Sequence, residues 1–398
     1  MLVVGAGPAG ADLAGALARA GASVALVERL QRPEQAAFSS AALPLQALQD
    51  FGLPAEVVAS RWNGWQLIGP HNQRRQWQHS AALGAVLDFA ALRRWQLHQA
   101  QAWGAKVQLG CTAIGCHAAD GAMLTTLRHV DGRQETCHSR WVVDATGQAR
   151  ALLGDPDPRR HPLVAGVGLE WLLAVEPQIW EPWSNRLSFM LGSQWVRQGY
   201  GWVFPMQAGL LKVGVCRLID PHHPQPALGP TLAHLLARCD LGGATVLDRH
   251  GGLIRSTVGR REAHSRGRLI GLGDAVSTAN LLGGEGIRHA LSSSRILLPL
   301  LLTAIGLQRQ GSPDSIQRKA LAPYSQRLKR RLGWRWELSG RLARRTWLPL
   351  QGSRADQRID RLLRGLEGAG ADGLSALLFD YRFERYGWRA LPYLLGVR

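Results

Sequence analysis

The chain has 398 residues, 46% hydrophobic and 19% charged, enough apolar material for two domains, or for one nucleotide-binding domain with an insert, and too much for general disorder. A net charge of +18 suggests nucleic acid, but only four of the 47 basic residues are Lys (Lys106, Lys212, Lys319, Lys329), a skew that also fits a GC-rich genome. No zinc finger, RNP-type aromatic motif or helix-turn-helix accompanies the charge, so no nucleic-acid partner is expected, while an anionic lipid surface stays open.

In chain order, residues 2–4 read as an apolar strand, Gly5-Ala-Gly7-Pro-Ala-Gly10 as a tight turn, and 11–20 as a small-residue helix stopped by Gly21. Residues 23–27 form a second buried strand ending at Glu28. The first strand is short for a central one, which suggests a start a few residues upstream; opening into a strand argues against a signal peptide. The spacing of Val86, Leu87, Leu92, Trp95, Leu97 and Trp103 predicts an amphipathic helix, followed by a strand over 106–110. Residues 122–138 alternate like a hairpin, and Trp141-Val-Val143 runs as a strand into Asp144-Ala-Thr-Gly147. Between 165 and 217, short strand-like stretches with Gly and Pro punctuation predict a separate antiparallel sheet. A strand over 268–272 leads to Gly273-Asp274 and a helix from about Gly284. The apolar run 296–307 is broken by Pro299 and falls short of the roughly 20 residues that span a bilayer. The tail, 312–398, is helical in pattern and rich in Arg and Trp.

The five cysteines (Cys111, Cys116, Cys137, Cys216, Cys239) are scattered, without a C-x-x-C pair, which excludes a disulfide framework and a zinc site and fits a reducing, cytoplasmic compartment. His222-His223 and the other histidines show no ligand spacing, so no metal is expected. No G-x-S-x-G or paired-carboxylate pattern points to hydrolysis.

The chemistry lies in the glycines. G-x-G-x-x-G is informative here because it follows a strand, opens a helix, and precedes a second strand with an acid at its end. Gly5 allows the tight turn, Gly7 lets a pyrophosphate approach, and Gly10 allows close helix–strand packing, with phosphates on the helix N-terminus. Glu28 is suited to accept from ribose hydroxyls. The motif alone does not separate FAD from NAD.

The later segments separate them. Arg268-Leu-Ile-Gly-Leu-Gly-Asp274-Ala275 followed by Asn280-Leu-Leu-Gly283-Gly284-Glu285-Gly286-Ile287 resembles the second FAD fingerprint of the para-hydroxybenzoate hydroxylase superfamily. The resemblance implies that Asp274 holds the ribityl chain and that the helix start faces the flavin pyrimidine, where a reduced flavin carries negative charge. Within that superfamily two segments resemble the geranylgeranyl reductases: Gly-Glu285-Gly-Ile287, and Gly199-Tyr200-Gly-Trp202-Val-Phe204-Pro205 against their Y-x-W-x-F-P motif. The cofactor-binding set so implied is Gly5, Gly7, Pro8, Ala9, Gly10, Glu28, Arg29, Asp144, Gly147, Gly273, Asp274, Gly283, Gly284, Gly286 and Ile287. The implied substrate pocket is Tyr200, Trp202, Phe204 and Pro205, with no catalytic acid identified.

The chain departs from the family at several points. Phe38-Ser39-Ser40 stands where members often carry Cys-Gly-Gly, and Leu281 replaces the proline of their N-P-L segment. Phe89 replaces an arginine used on the pyrophosphate, with Arg93 or Arg94 as substitutes. The expected fold is α/β: a Rossmann-like FAD domain (1–164 and 250–310), an inserted antiparallel substrate sheet (165–249) and a helical tail (311–398). The expected reaction is reduction of an isoprenoid double bond by FAD, with NADPH or reduced ferredoxin as electron donor. A flavin monooxygenase or halogenase-like enzyme, and a degenerate member that binds FAD or prenyl lipid without turnover, are the alternatives. The run 296–307 and the tail's Lys329-Arg-Arg331, Arg335, Arg341, Arg344-Arg345 with Trp334, Trp336 and Trp347 point to peripheral attachment on the cytoplasmic face of a membrane.

Overall fold

The strand Leu2–Val4 is three residues long yet wholly buried, because parallel strands flank it on both sides, Ala25–Glu28 and Val142–Asp144. This is the centre of the computed structural model, which describes residues 1–33, 39–259 and 261–386. The sheet runs in the order Ser265–Arg266, Leu269–Gly271, Val142–Asp144, Leu2–Val4, Ala25–Glu28, Lys106–Leu109, parallel except for its first pair. Its central strands are apolar runs closed by an acid or a glycine, as strands covered on both faces must be, while the edge strands Ser265–Arg266 and Lys106–Leu109 are polar and largely exposed. Helix Pro8–Arg19 packs between Phe89–Ala102 and Ile287–Arg309, and a meander of Cys111–Ala119, Ala122–His129 and Gln134–Ser139 adds Ala113, Met123 and Leu127 to the same core.

Pro299 interrupts the apolar run but does not end the helix. Ile287–Arg309 is one helix of 23 residues, with Pro299 on its exposed side, where the carbonyl that loses its N–H partner can be solvated. The helix is long and apolar enough to cross a membrane, but Leu291, Leu297, Leu301 and Ala304 are fully buried in the protein core. One side of the 296–307 run is thus committed to the core.

A seven-stranded sheet lies beside this domain, in the order Thr245–Thr257, Leu163–Ala174, Leu210–Leu218, Gly199–Pro205, Arg186–Leu191, Gly64–Ile68, Arg74–Gln78. It is wider than the 165–249 insert: two strands come from before residue 80, and the first ends at Thr257. The polar run Arg74–Gln78 does not read as a strand because it is an edge, with most of its side chains facing outward. Strand alternation divides the sheet's residues between two faces. Leu211, Val213, Val215 and Val203 meet helix Leu228–Arg238, while Tyr200, Trp202 and Phe204 turn the other way. A small sheet of Ala42–Pro44, Gly84–Leu87 and Val58–Trp62 joins the two units.

The tail folds back over the aromatic face as helices Tyr324–Trp347, Ser353–Gly365 and Ala371–Leu378, with Gly333 (φ 73°) kinking the first. Trp336 and Trp347 are buried in this packing, whereas Trp334 is exposed, at 63%.

Candidate active site

Local sterics fix the first turn. Gly5 sits at φ +101°, and a Cβ there would come within 2.4 Å of the Ala145 carbonyl oxygen. At Gly10 a Cβ would lie 2.0 Å from the Gly5 oxygen and 2.9 Å from the Ala145 Cβ, so the helix can approach the strand only because position 10 is glycine. Around Gly7, the N-cap of helix Pro8–Arg19, an added Cβ meets nothing within 4 Å. That open position beside a helix N-terminus without a side-chain cap fits a pyrophosphate.

Glu28 holds this turn as well as facing it. Its Oε2 accepts from Ala6 N–H (2.8 Å) and its Oε1 from Leu30 N–H (3.0 Å), and each oxygen keeps a second lone pair for a ribose hydroxyl. Of the two arginines offered as substitutes at Phe89, Arg93 is buried 3.8 Å from Glu28, whereas Arg94 and Arg29 are exposed. Arg93 thus faces the acid at the end of the second strand, and Phe89 itself lines the cavity described below.

Asp144 serves the chain's own backbone. It is fully buried, and its Oδ1 accepts from the Thr146 N–H (3.0 Å) and hydroxyl (2.6 Å). Its Oδ2 accepts from the N–H groups of Leu152 (2.9 Å) and Leu153 (2.7 Å). With these four donors Asp144 fastens the loop that follows it. Gly147, at φ +67°, begins that loop's short helical turn.

Asp274 is buried and accepts from the Thr278 hydroxyl (2.7 Å); burial pushes its carboxyl above the ordinary aspartate range. Gly273 allows its close approach to the first helix, since a Cβ there would sit 3.1 Å from the Ala9 Cβ. The helix expected from about Gly284 begins at Ile287, with Gly286 as its N-cap. Asp274, Gly283, Gly284, Gly286 and Ile287 join Pro8, Ser39 and Ser40 along one side of a cavity of about 270 Å³. Its other side is aromatic: Phe189, Tyr200, Trp202, Phe204 and Trp347. The cofactor turn and the Y-x-W-x-F-P motif therefore meet across one space. Pro205 stays outside it, buried, its carbonyl accepting from the Ser60 hydroxyl (2.8 Å). Of the Phe38-Ser39-Ser40 departure, the two serines line the cavity and Phe38 lies outside the described residues.

Several residues that hold the site escape a reading of the sequence. Trp202 lies flat over Gly214, where a Cβ would come within 2.2 Å of its ring, and its Nε1–H donates to Glu170 Oε2 (3.0 Å). Burial raises the Glu170 carboxyl, partly offset by the charge of Lys212 and the Trp202 hydrogen bond. Glu170 in Leu169–Trp171 and Lys212 in Leu211–Val213 are single charges inside apolar strands, and that pattern is the available signal. Tyr200 lies beside Trp347, the rings tilted by 45° with centroids 5.1 Å apart, and burial pushes its hydroxyl well above the ordinary tyrosine range.

Glu285, placed in the second glycine turn, faces the tail. Its carboxylate takes a two-point bond from Arg288 (2.6 and 3.0 Å) and accepts from the Tyr381 hydroxyl (2.9 Å). Burial would raise it, but the charges and hydrogen bonds of Arg288 and His289 outweigh that and bring it down to about 2.

Residues 1–152 match the FAD binding domain family. The chain is 27% identical over 311 residues to the digeranylgeranylglycerophospholipid reductase of Haloferax volcanii, covering 74% of each. It is 28% identical over 331 residues to the menaquinone reductase of Mycobacterium tuberculosis, covering 76% of each. Its fold is that of a geranylgeranyl bacteriochlorophyll reductase-like protein from Thermoplasma acidophilum (TM-score 0.79, 21% identity, 96% of each chain). A myxobacterial chondrochloren halogenase shares the fold at a TM-score of 0.65, with 16% identity over 100% of this chain and 97% of that one. Turn, cavity and fold together define an FAD-dependent oxidoreductase of the hydroxylase-like superfamily. Its relatives include proteins named as digeranylgeranylglycerophospholipid, menaquinone and geranylgeranyl diphosphate reductases.

Proposed function

We propose that this protein reduces carbon–carbon double bonds in the polyprenyl chain of a lipid, with FAD as its bound redox cofactor. The shared cavity carries the reading: the 283–286 turn and Asp274 face Tyr200, Trp202 and Phe204 across it. An isoprenoid offers only apolar surface to its binder, and an aromatic wall suits it. The relatives named for digeranylgeranylglycerophospholipid and menaquinone support the same lipid class. FAD, when bound and reduced, supplies a hydride to one alkene carbon while a proton reaches the other, leaving the bond saturated. The chain's part is to bind and orient. Gly7 leaves room for the pyrophosphate, Asp274 would accept from the ribityl hydroxyls, and Glu170 fixes the plane of Trp202 in the pocket wall. Tyr200 is a poor source of the proton, since its hydroxyl is raised, and no side chain is assigned as the acid. NADPH or reduced ferredoxin is the electron donor we expect.

Trp202 tests the reading. Trp202→Ala should leave FAD bound, because the dinucleotide contacts lie elsewhere, and should cut turnover of a polyprenyl substrate more than tenfold. The indole is also core, so the change should cost about 3–5 kcal/mol of stability. Trp202→Phe restores most of the ring and isolates the lost hydrogen bond to Glu170, worth about 1–3 kcal/mol when a buried acceptor is left unpaired. Saturation of the lipid is read by mass spectrometry under anaerobic conditions. Oxygen consumption with no anaerobic turnover would move the reading to a monooxygenase or halogenase.

For location we propose peripheral attachment to the cytoplasmic face of a membrane. The support is exposed Trp334 on a helix whose Arg327, Lys329, Arg330 and Arg331 are also exposed. Each basic contact with an anionic surface contributes about 1 kcal/mol. Flotation with anionic liposomes at low salt should carry the protein upward, and full recovery in the soluble fraction would overturn the proposal.

A further inference from the structure

Lys212 is a cation in an apolar place. It lies between Leu211 and Val213 in the strand Leu210–Leu218, is buried, and forms no ion pair among the described residues. Its ammonium donates instead to two backbone carbonyls from different parts of the chain, Ser39 (2.9 Å) and Leu87 (3.1 Å). Burial draws its pKa below the ordinary lysine value, with the charges of Glu170 and Asp88 acting against that from farther off. A strand that only had to fill this space would do so with Leu or Met and avoid desolvating a charge.

The two carbonyls show what the charge does. Ser39 and its neighbour Ser40 line the cavity on the same side as the 283–286 turn. Leu87 ends the strand Gly84–Leu87, after which Asp88 caps helix Phe89–Ala102 by accepting from Ala91 N–H (2.9 Å). Phe89, the first residue of that helix, also lines the cavity. One side chain from the seven-stranded sheet thus pins two separate pieces of the cofactor-side wall, and it leaves a positive charge one residue behind that wall. Reduction adds negative charge to a flavin, so a fixed cation nearby favours the reduced form.

We propose that Lys212 is a positioning residue for the flavin, holding the Ser39–Ser40 segment against it and raising its reduction potential through a fixed charge. The proposal rests on the FAD reading above. It is tested on the full chain loaded with FAD, comparing wild type with Lys212→Met, Lys212→Gln and Lys212→Arg. Flavin absorbance and fluorescence give FAD affinity, and equilibration with a reference dye gives the midpoint potential. Lys212→Met should weaken FAD binding at least fivefold. It should also lower the potential by about 30 mV, the equivalent of a tenfold change for a two-electron couple. Lys212→Gln, which can still donate to both carbonyls, should recover affinity but not potential, and Lys212→Arg should recover much of both. An unchanged potential in either uncharged variant that binds FAD overturns the proposal. So does loss of folding in both uncharged variants, which would make Lys212 a folding residue. Wild-type protein that takes up no FAD would defeat the cofactor reading itself, and this inference with it.

Discussion

The two glycine-rich turns look alike in sequence and are built for different reasons. In the first, Gly5 and Gly10 are required by the protein's own backbone: a Cβ would strike Ala145 O at 2.4 Å in one case and Gly5 O at 2.0 Å in the other. In the second, a Cβ at Gly283 meets nothing within 4 Å, at Gly284 the nearest atom is the Tyr200 hydroxyl at 3.3 Å, and at Gly286 it is an Asp274 oxygen at 3.7 Å. The first turn uses glycine to bring a helix against a strand; the second uses it to keep space clear beside a cavity. Gly7 is the exception within the first turn, because its open side belongs to the second kind.

Substitutions in the first turn should break this comparison hardest. Gly10→Ala has no room, and the atoms in the way are backbone, so a loss of about 5 kcal/mol or failure to fold is expected. Gly7→Val should fold with a nearly unchanged melting temperature and purify without FAD, because its side chain takes the pyrophosphate's place. Thermal melting and flavin absorbance of the two proteins side by side decide the matter. A Gly10→Ala protein that folds and loads FAD normally would remove the steric account.

The second turn also carries an acid, and pH sharpens the contrast. Glu285 titrates near 4.5 when unfolded and at about 2 in the fold, a linkage on the order of 3 kcal/mol. Because the folded value is the lower, this stabilisation is complete above pH 4.5 and fades as pH falls towards 2. Glu285→Gln removes the closer of the two carboxylates paired with Arg288, leaving Asp380 at 3.2 Å, and should cost about 3 kcal/mol near neutral pH. Its deficit against wild type should shrink as acid is added, in denaturant titrations across that window. A deficit that stays constant would mean that Glu285 is not ionised in the fold.

What could be read from the sequence follows the same division. The first turn was legible because its demands are local: a strand, three glycines at fixed spacing, a helix, and Glu28 at the end of the next strand all fall within 28 residues. Asp274 and the aromatic motif were legible through resemblance, and the structure brings them to one cavity. The loop-fastening part of Asp144 was not legible, because an acid at a strand end looks the same whether or not it caps its own loop; the four donors around it show that it does. Partnerships across long separations were invisible. Glu285 meets Tyr381 from 96 residues away, and Lys212 meets Ser39 from 173. Arg74–Gln78 was missed as a strand because an edge needs no apolar alternation.

The smallest expected effect tests whether the second turn and the aromatic wall really face each other. Gly284 sits at φ +68°, so Gly284→Ala carries a left-handed strain of about 1 kcal/mol wherever its side chain points. It should lower the melting temperature by a few degrees and leave FAD bound. The new methyl would also press on the Tyr200 hydroxyl, 3.3 Å away, and the ring behind it is held by Trp347, Phe189 and Trp202. Tyr200→Phe removes the oxygen that the methyl meets. Introduced into that background, Gly284→Ala should therefore cost less than in wild type, by at least 0.5 kcal/mol, which is the lower range for residues in contact. Backbone strain is the same in both backgrounds, so it cancels in the cycle and only the contact is left. Costs that add within about 0.3 kcal/mol would mean that the turn and Tyr200 do not touch.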